Sequence, residues 1–151
     1  MLQDEVCSEP ETFIGASTQS SCFACGQDNS RGLHLHFDGN EAGEMVAEWT
    51  PESELEGFQG IVHGGIVSTV LDEAMSKAVA ASGVKAVTAE LRVRFRIHVV
   101  SGKMVHVRGW IDSHNKRMTK AEAVLTSSDG SEFAHAWAIF LTLKYPGIVQ
   151  S

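Results

Sequence analysis

The segment from residue 57 to residue 83 most constrains the fold, because it joins a loop, a His-Gly-Gly turn and one long helix. Apolar residues recur at the helical spacing from about residue 63 to residue 82, and the opposite polar face is small. The pattern predicts a largely enclosed helix that begins near His63. It ends at Ser82-Gly83, since glycine readily adopts the left-handed conformation that stops a helix. The rest of the chain must therefore cover this helix.

Beyond the helix the apolar period changes to two, which is typical of strands. Apolar and basic residues alternate there, with Leu91, Val93, Phe95 and Ile97 set against Arg92, Arg94, Arg96 and His98. The sequence predicts strands over 33–37, 44–49, 84–98, 103–112, 117–127 and 132–144, with a turn at 38–40. The last strand is apolar on both faces, which predicts an interior position. A curved antiparallel sheet around one central helix, an α+β fold, buries both patterns.

Chain length and net charge limit the number of domains and the kinds of partner that this protein can have. The 151 residues predict a single domain over 21–146, between a flexible N-terminal tail at 1–20 and a short C-terminal tail at 147–151. The net charge of −7 argues against a nucleic-acid partner. We expect neither a signal peptide nor a membrane span, because no basic region precedes an apolar run and no such run approaches ~20 residues. Three cysteines favour a reducing, cytoplasmic location.

The turn and the helix carry groups suited to acyl transfer. Free N–H groups at a helix start can stabilise a developing negative charge, and Asp72 is an acid in an otherwise apolar stretch. Gly64 and Asp72 are eight residues apart, so on one helix they are separated by ~12 Å along the axis and by ~80° around it. They cannot flank one carbonyl within the same helix. We therefore predict a homodimer in which two subunits share each site.

These motifs resemble a known family. Gln59-Gly-Ile-Val-His-Gly-Gly65, Asp72 nine residues after the histidine, and Val87-Thr-Ala-Glu-Leu-Arg-Val-Arg-Phe95 are similar to the hotdog-fold acyl-CoA thioesterases of the PaaI (phenylacetate-pathway) type. The segment from Cys22 to Phe37 resembles a subgroup of it. The likeness covers about residues 22–144. It implies a hotdog fold, hydrolysis of acyl-CoA, a homodimer or homotetramer, and no cofactor beyond the CoA of the substrate.

The resemblance also implies roles for individual residues. Asp72 corresponds to the catalytic carboxylate, and Gly64, together with Gly65, corresponds to the oxyanion-hole backbone. His63 corresponds to the residue that shapes the turn, and Thr88 to a hydroxyl that orients water or substrate. The residues leave open whether Asp72 acts as a general base on water or as a nucleophile that forms an anhydride.

One position departs from the family pattern. Relatives often carry a catalytic asparagine six residues before the histidine, where this chain has Gly57. Gln59 is a candidate substitute for that side chain. The departure keeps open the alternative of a non-catalytic acyl-CoA-binding or sensing domain on the same fold. An acyl-CoA hydratase is a third possibility.

Substrate contacts are predicted from charge and hydropathy. Arg92, Arg94 and Arg96 share one strand face and are candidates for binding the CoA phosphates. The acyl pocket is predicted to be lined by Phe58, Val62 and Met75 together with residues of the partner subunit. The acyl group itself stays open between aromatic, medium-chain and long-chain types.

A cysteine pair raises the question of a metal. Cys22-x-x-Cys25 with His34 and His36 offers four zinc-ligand side chains. A single cysteine pair is a weak signal, however, and we expect no metal and a plain loop anchor instead. A thioredoxin-like redox role is disfavoured, because no helix follows the pair.

Overall fold

The structure, a computed structural model, describes residues 21–143, which form six strands and one long helix. The elements are β1 (Asp38–Gly39), β2 (Met45–Trp49), α1 (Gly64–Ala81), β3 (Ala86–Phe95), β4 (Val105–His114), β5 (Met118–Thr126) and β6 (Glu132–Thr142). The strands make one antiparallel sheet in the order β1-β2-β4-β5-β6-β3. The predicted tails at 1–20 and 147–151 lie outside the described residues.

Helix α1 follows the prediction closely. His63 is its N-cap, and Ser82 and Gly83 end it, with Gly83 at a φ of +86°. Backbone bonds from Ser82 N–H to Ala78 O and from Gly83 N–H to Ala80 O close the last turn. The buried face consists of Val67, Val70, Leu71, Ala74, Met75, Ala78 and Val79. This apolar stripe is the centre of the core.

The sheet wraps around the helix, which packs against strands β2 to β6. At Gly109 on β4 the sheet and the helix backbone lie very close together. A Cβ built on Gly109 would lie 2.5 Å from the carbonyl oxygen of Ala74 and 2.9 Å from the backbone nitrogen of Met75. Only glycine leaves room for the helix backbone here. The predicted hotdog arrangement, one long helix enclosed by a curved antiparallel sheet, is confirmed.

Strand β6 lies between β5 and β3, so its predicted interior position is confirmed. Strand β3 consequently forms an edge of the sheet. Large apolar side chains on and just beyond this edge are exposed in the single chain, including 54% of Phe95 and 50% of Ile97. An exposed edge strand presents unpaired backbone groups that can pair with another strand.

The predicted strand at 33–37 and the turn at 38–40 were wrong. His34 has a φ of +52°, which interrupts an extended ladder. The amides of Leu33 and Leu35 bond instead to the carbonyls of Phe23 and Ala24. Only Asp38–Gly39 pairs with β2, and the turn falls at 40–43. The alternation of apolar and polar residues did indicate burial, since Leu35 is buried. The segment nevertheless pairs with a loop and not with a strand of the sheet.

Across residues 21–143 we find no helix with the length and apolar character required to cross a membrane.

Candidate active site

The start of α1 is held by hydrogen bonds on both sides of His63. The His63 N–H donates to Leu55 O at 2.8 Å, and the preceding Val62 N–H donates to Val99 O at 2.9 Å. The imidazole then turns back, and its Nδ1 accepts the N–H of Gly65 at 2.9 Å. The ring is therefore the cap of the helix, which explains why a histidine stands at the head of the turn.

This cap decides which backbone donor stays available. The N–H groups of Ile66 and Val67 bond to His63 O, and that of Gly65 is taken by the His63 ring. Within residues 21–143, the N–H of Gly64 has no acceptor, and Gly64 is exposed. A helix start with one exposed, unbonded N–H can stabilise an anion. Gly64 is thus the better oxyanion candidate of the glycine pair.

Two glycines make room for the His63 ring. A Cβ on Gly65 would lie 3.1 Å from Nδ1, closer than ordinary packing allows. A Cβ on Gly57 would lie 3.4 Å from the Cα of His63 and equally far from its Cδ2. The position where relatives carry asparagine therefore lies directly against the histidine. Gly57 offers no side-chain amide there.

A cavity of about 650 Å³ opens at the same end of the helix. Its walls are mostly apolar and come from Gly57–Phe58, Ile61–Gly64, Val67 and Phe95–Val99. Gln59, a predicted substrate contact, is not among the lining residues. The apolar lining side chains include Phe58, Ile61, Val62, Phe95 and Ile97. Phe58 and Val62, which the sequence placed in the acyl pocket, border this cavity. Met75 was wrongly included, because it is fully buried in the core beneath β4. Sequence reasoning missed Phe95 and Ile97, although their alternation was visible.

Asp72 lies two turns further along α1 and faces strand β3. Its Oδ1 accepts a hydrogen bond of 2.8 Å from the Thr88 hydroxyl. Burial raises the pKa of Asp72 above its ordinary value of 3.8, the Thr88 bond lowers it, and nearby Glu73 raises it further. The net shift is upward. Asp72 is therefore a carboxylate whose charge is incompletely solvated, which suits a base or nucleophile.

The two halves of the predicted site are not adjacent within one chain. Asp72 and Thr88 do not line the cavity at the helix start. Gly64 and Asp72 stand on one uninterrupted helix, so about 12 Å along the axis separates them. Among the described residues of a single chain, the unbonded Gly64 N–H lies at the start of α1 and the Asp72 carboxylate lies near its middle.

A family model of the thioesterase superfamily matches residues 59–134, which include the His-Gly-Gly turn, all of α1 and the strands β3 to β5. The chain belongs to the thioesterase superfamily. No curated protein matches it.

Solved structures agree on the fold of this thioesterase superfamily chain. RHA08564, a thioesterase superfamily protein, matches at a TM-score of 0.76 and 22% identity, over 79% of this chain and 62% of its own length. This chain thus spans less than two thirds of that protein. A phenylacetic acid degradation-related protein from Ralstonia eutropha JMP134, a putative thioesterase by its description, matches at a TM-score of 0.65 and 22% identity. The match covers 73% of this chain and 86% of that protein. A hypothetical thioesterase from Streptococcus pneumoniae TIGR4, solved with coenzyme A, matches at a TM-score of 0.68 and 14% identity. The match covers 75% of this chain and 88% of that protein.

The three arginines of β3 and its end differ in their contacts. The guanidinium of Arg92 lies over the Trp137 ring, 4.7 Å from its centroid, and Arg96 Nε lies 3.4 Å from Glu132 Oε1. The Arg94 guanidinium has no ion pair or side-chain hydrogen bond among residues 21–143, although its backbone pairs with His135 of β6. Arg96 also borders the cavity. These arginines are exposed, and Arg94 is the one with an uncommitted charge.

The loop before the helix has a second anchor that sequence reasoning missed. The Ser101 hydroxyl donates to Glu56 Oε2, and this bond, with one from the Gly60 backbone, lowers the pKa of Glu56. Gly60 O in turn accepts the Ser101 N–H at 3.1 Å. The segment with Phe58 and Gln59 is thereby tied to the β3–β4 connection. Both side chains are exposed, Phe58 at 83%.

The histidines proposed as zinc ligands lie elsewhere. His34 Nε2 is 2.6 Å from Asn29 O, and His36 Nε2 is 3.2 Å from Asp38 Oδ1. The four-ligand set that the sequence analysis disfavoured does not form, because the φ of +52° at His34 and the solvent-facing His36 break the shared strand face. The two cysteines instead face Glu73 of α1.

Proposed function

We propose that this chain hydrolyses acyl-CoA thioesters to a free acid and CoA. The observation that carries the proposal is the exposed, unbonded N–H of Gly64, which His63 leaves available at the mouth of an apolar cavity of about 650 Å³. Membership of the thioesterase superfamily and the coenzyme A in the S. pneumoniae structure support the choice of substrate class.

The reaction needs little besides these groups. The carbonyl oxygen accepts the Gly64 N–H and gains negative charge as the tetrahedral intermediate forms. The leaving thiolate is stable, with a pKa near ~8.5 if it resembles cysteine, so no strong general acid is required. Asp72 either takes a proton from the attacking water or attacks the carbonyl itself to form an anhydride that water then opens. Thr88 holds the carboxylate in place.

Two copies of the chain supply one site. The glycine turn comes from one subunit, and Asp72 and Thr88 come from its two-fold mate, because these groups are about 12 Å apart on a single helix. The exposed β3 edge supports such an assembly, since Thr88 and Phe95 both lie on this strand and Phe95 borders the cavity. Pairs of dimers forming tetramers are compatible with the same arrangement.

The CoA phosphates bind near the arginines of β3. Arg94 is the first candidate, because Arg92 stacks on Trp137 and Arg96 pairs with Glu132. The arginine fork is well suited to a phosphate. The acyl group enters the cavity between Phe58, Phe95 and Ile97, whose size leaves both aryl and aliphatic chains open.

A second candidate is an acyl-CoA-binding domain without activity. The observation that favours it is Gly57, which places no amide beside His63 to hold a water. Thiol release from a panel of short, medium, long and aryl acyl-CoAs, compared between the natural chain and Asp72→Asn, separates the two functions. Hydrolysis that collapses in Asp72→Asn supports the thioesterase. Tight binding of acyl-CoA without release by the natural chain refutes it and favours the binder.

Sharing between subunits has its own test. Chains with Asp72→Ala and chains with Gly64→Pro are each expected to be inactive. When they are mixed and allowed to exchange, heterodimers contain one intact site and should regain activity. Heterodimers that form and stay inactive would exclude the shared site.

A further inference from the structure

Two cysteines and a glutamate from distant parts of the sequence meet beside α1. The Sγ atoms of Cys22 and Cys25 and a carboxylate oxygen of Glu73 all lie within 4.8 Å of one another. Each of the three residues is partly buried. The acid sits immediately after Asp72, yet it faces the loop at 22–26 instead of β3. None of the steps proposed for thioester hydrolysis uses this cluster.

The loop that contains the cysteines is firmly placed. Gly26 N–H donates to Cys22 O at 2.8 Å, and the carbonyls of Phe23 and Ala24 each accept a backbone N–H from the following segment at 2.8 Å. Ala24 is buried in the core, so the thiols on either side of it face a fixed point on the helix. Glu73 is only 14% exposed. The loop therefore holds both thiols close to the Glu73 carboxylate, within 4.8 Å of it and of each other.

We propose that Cys22, Cys25 and Glu73 bind one Zn²⁺ ion, with a water molecule as fourth ligand. The Cys-x-x-Cys spacing is the spacing at which thiolate pairs chelate zinc, and a carboxylate is an accepted third ligand. Two soft thiolates select against Mg²⁺ and Ca²⁺, which prefer all-oxygen sites. The proposal replaces the expectation of no metal, with Glu73 in the place of the two histidines considered from the sequence.

Charge balance fits this assignment. Zn²⁺ with two thiolates and one carboxylate has a net charge of −1. Lys77 Nζ lies 3.7 Å from Glu73 Oε2 and offsets that charge. Two thiol protons leave to solvent when the ion binds, and neither sulfur changes its oxidation state.

The site would link the loop at 22–26 to the middle of α1, because Glu73 directly follows Asp72, the proposed catalytic carboxylate. It is independent of the thioesterase proposal, because metal binding and acyl-CoA hydrolysis are measured separately. None of its ligands lines the cavity, and a bound ion would link the loop to the helix. Zn²⁺ should accordingly raise the Tm of the whole chain.

Cobalt provides the spectroscopic test. The full chain, kept reduced with a phosphine, is titrated with Co²⁺ and then with Zn²⁺. We expect a thiolate-to-cobalt charge-transfer band and tetrahedral d–d bands that saturate at about one Co²⁺ per chain and disappear as Zn²⁺ replaces it. Cys25→Ser should lose the charge-transfer intensity. Glu73→Gln should weaken Co²⁺ binding at least tenfold, as losing even an outer partner of a metal ligand costs about that much.

The matched control is Glu41→Gln, an exposed glutamate in the turn before β2, which should bind Co²⁺ like the natural chain. Glu73→Gln is nearly isosteric and keeps an acceptor for the Cys25 thiol, so it should fold, and the decision rests on it. No saturable band in the natural chain would overturn the proposal. Equal Co²⁺ affinity in Glu73→Gln and Glu41→Gln would overturn it as well.

Discussion

The Thr88 hydroxyl on edge strand β3 donates a 2.8 Å hydrogen bond to Oδ1 of Asp72 in the middle of α1. This bond counteracts burial, which raises the pKa of the same carboxyl group. Strand and helix therefore set the ionisation of Asp72 together. A carboxylate held in this way has a fixed orientation, and its basicity reflects burial first and then the hydroxyl bond that opposes it.

Replacing Thr88 by valine should shift the pH dependence of hydrolysis. The hydroxyl bond lowers the Asp72 pKa, so its loss raises that pKa and moves the acid limb of kcat/KM to higher pH. The hydroxyl is retained in Thr88→Ser, and the limb should stay in place. Initial rates over a pH series measure both variants. An acid limb at the same pH in the valine and serine variants would mean that Thr88 does not act through Asp72.

Asp72→Asn should lower kcat by roughly 10²- to 10⁴-fold and leave the fold intact or more stable. A carboxyl group whose folded pKa is raised favours the folded state fully below its unfolded pKa, near 3.8, and loses that contribution as the pH rises through the folded pKa. The Tm advantage of Asn over Asp should therefore grow from acidic to neutral pH. A lower Tm of Asp72→Asn at neutral pH would contradict the net effect of burial.

Gly64→Pro should remove the oxyanion donor with little change in stability. Proline is accepted at the first residue of a helix, and His63 already has the extended backbone, φ −57° and ψ 133°, that a following proline requires. We expect kcat to fall by about 10²- to 10³-fold. Gly64→Ala is the matched control. It keeps the N–H, and its Cβ would lie at an ordinary 3.5 Å from Phe95. Similar kcat values for the two variants would exclude Gly64 as the donor.

Gly109→Ala should destabilise the protein by about 1–3 kcal/mol, because its Cβ would lie 2.5 Å from Ala74 O and would push the helix away from β4. Gly39→Ala, on β1, is the control, since its nearest new neighbour is the flexible Met45 side chain at 3.7 Å. Chemical denaturation measures both. A Gly109→Ala variant as stable as Gly39→Ala would mean that the two layers can separate at no cost.

The longest elements were predictable because their patterns are strong and local. Helix α1 begins and ends within a residue or two of the prediction, where His63 caps it and Gly83 stops it. The interior place of β6 also followed from its two apolar faces. The segment at 33–37 was misjudged, because alternation reports burial on one side and says nothing about the backbone partner, which proved to be a loop.

The candidate site was likewise predictable in its individual residues but not in the contacts between distant ones. Asp72, His63, Gly64 and Thr88 were all named from the sequence, and the Thr88 bond to Asp72 agrees with that grouping. That Gly65 is occupied by the His63 ring, leaving Gly64, required the geometry of the cap. The contacts of Cys25 with Glu73 and of Glu56 with Ser101 also became visible only in the three-dimensional structure.

By itself, the sequence determined the elements and the chemistry of single residues, since periodicity, caps and turn glycines act over a few neighbouring positions. Only the tertiary structure decided which side chains from distant segments share a site. Such contacts depend on how the sheet curves around α1, and that curvature depends on packing at places such as Gly109 against Ala74, where a single Cβ would separate the layers.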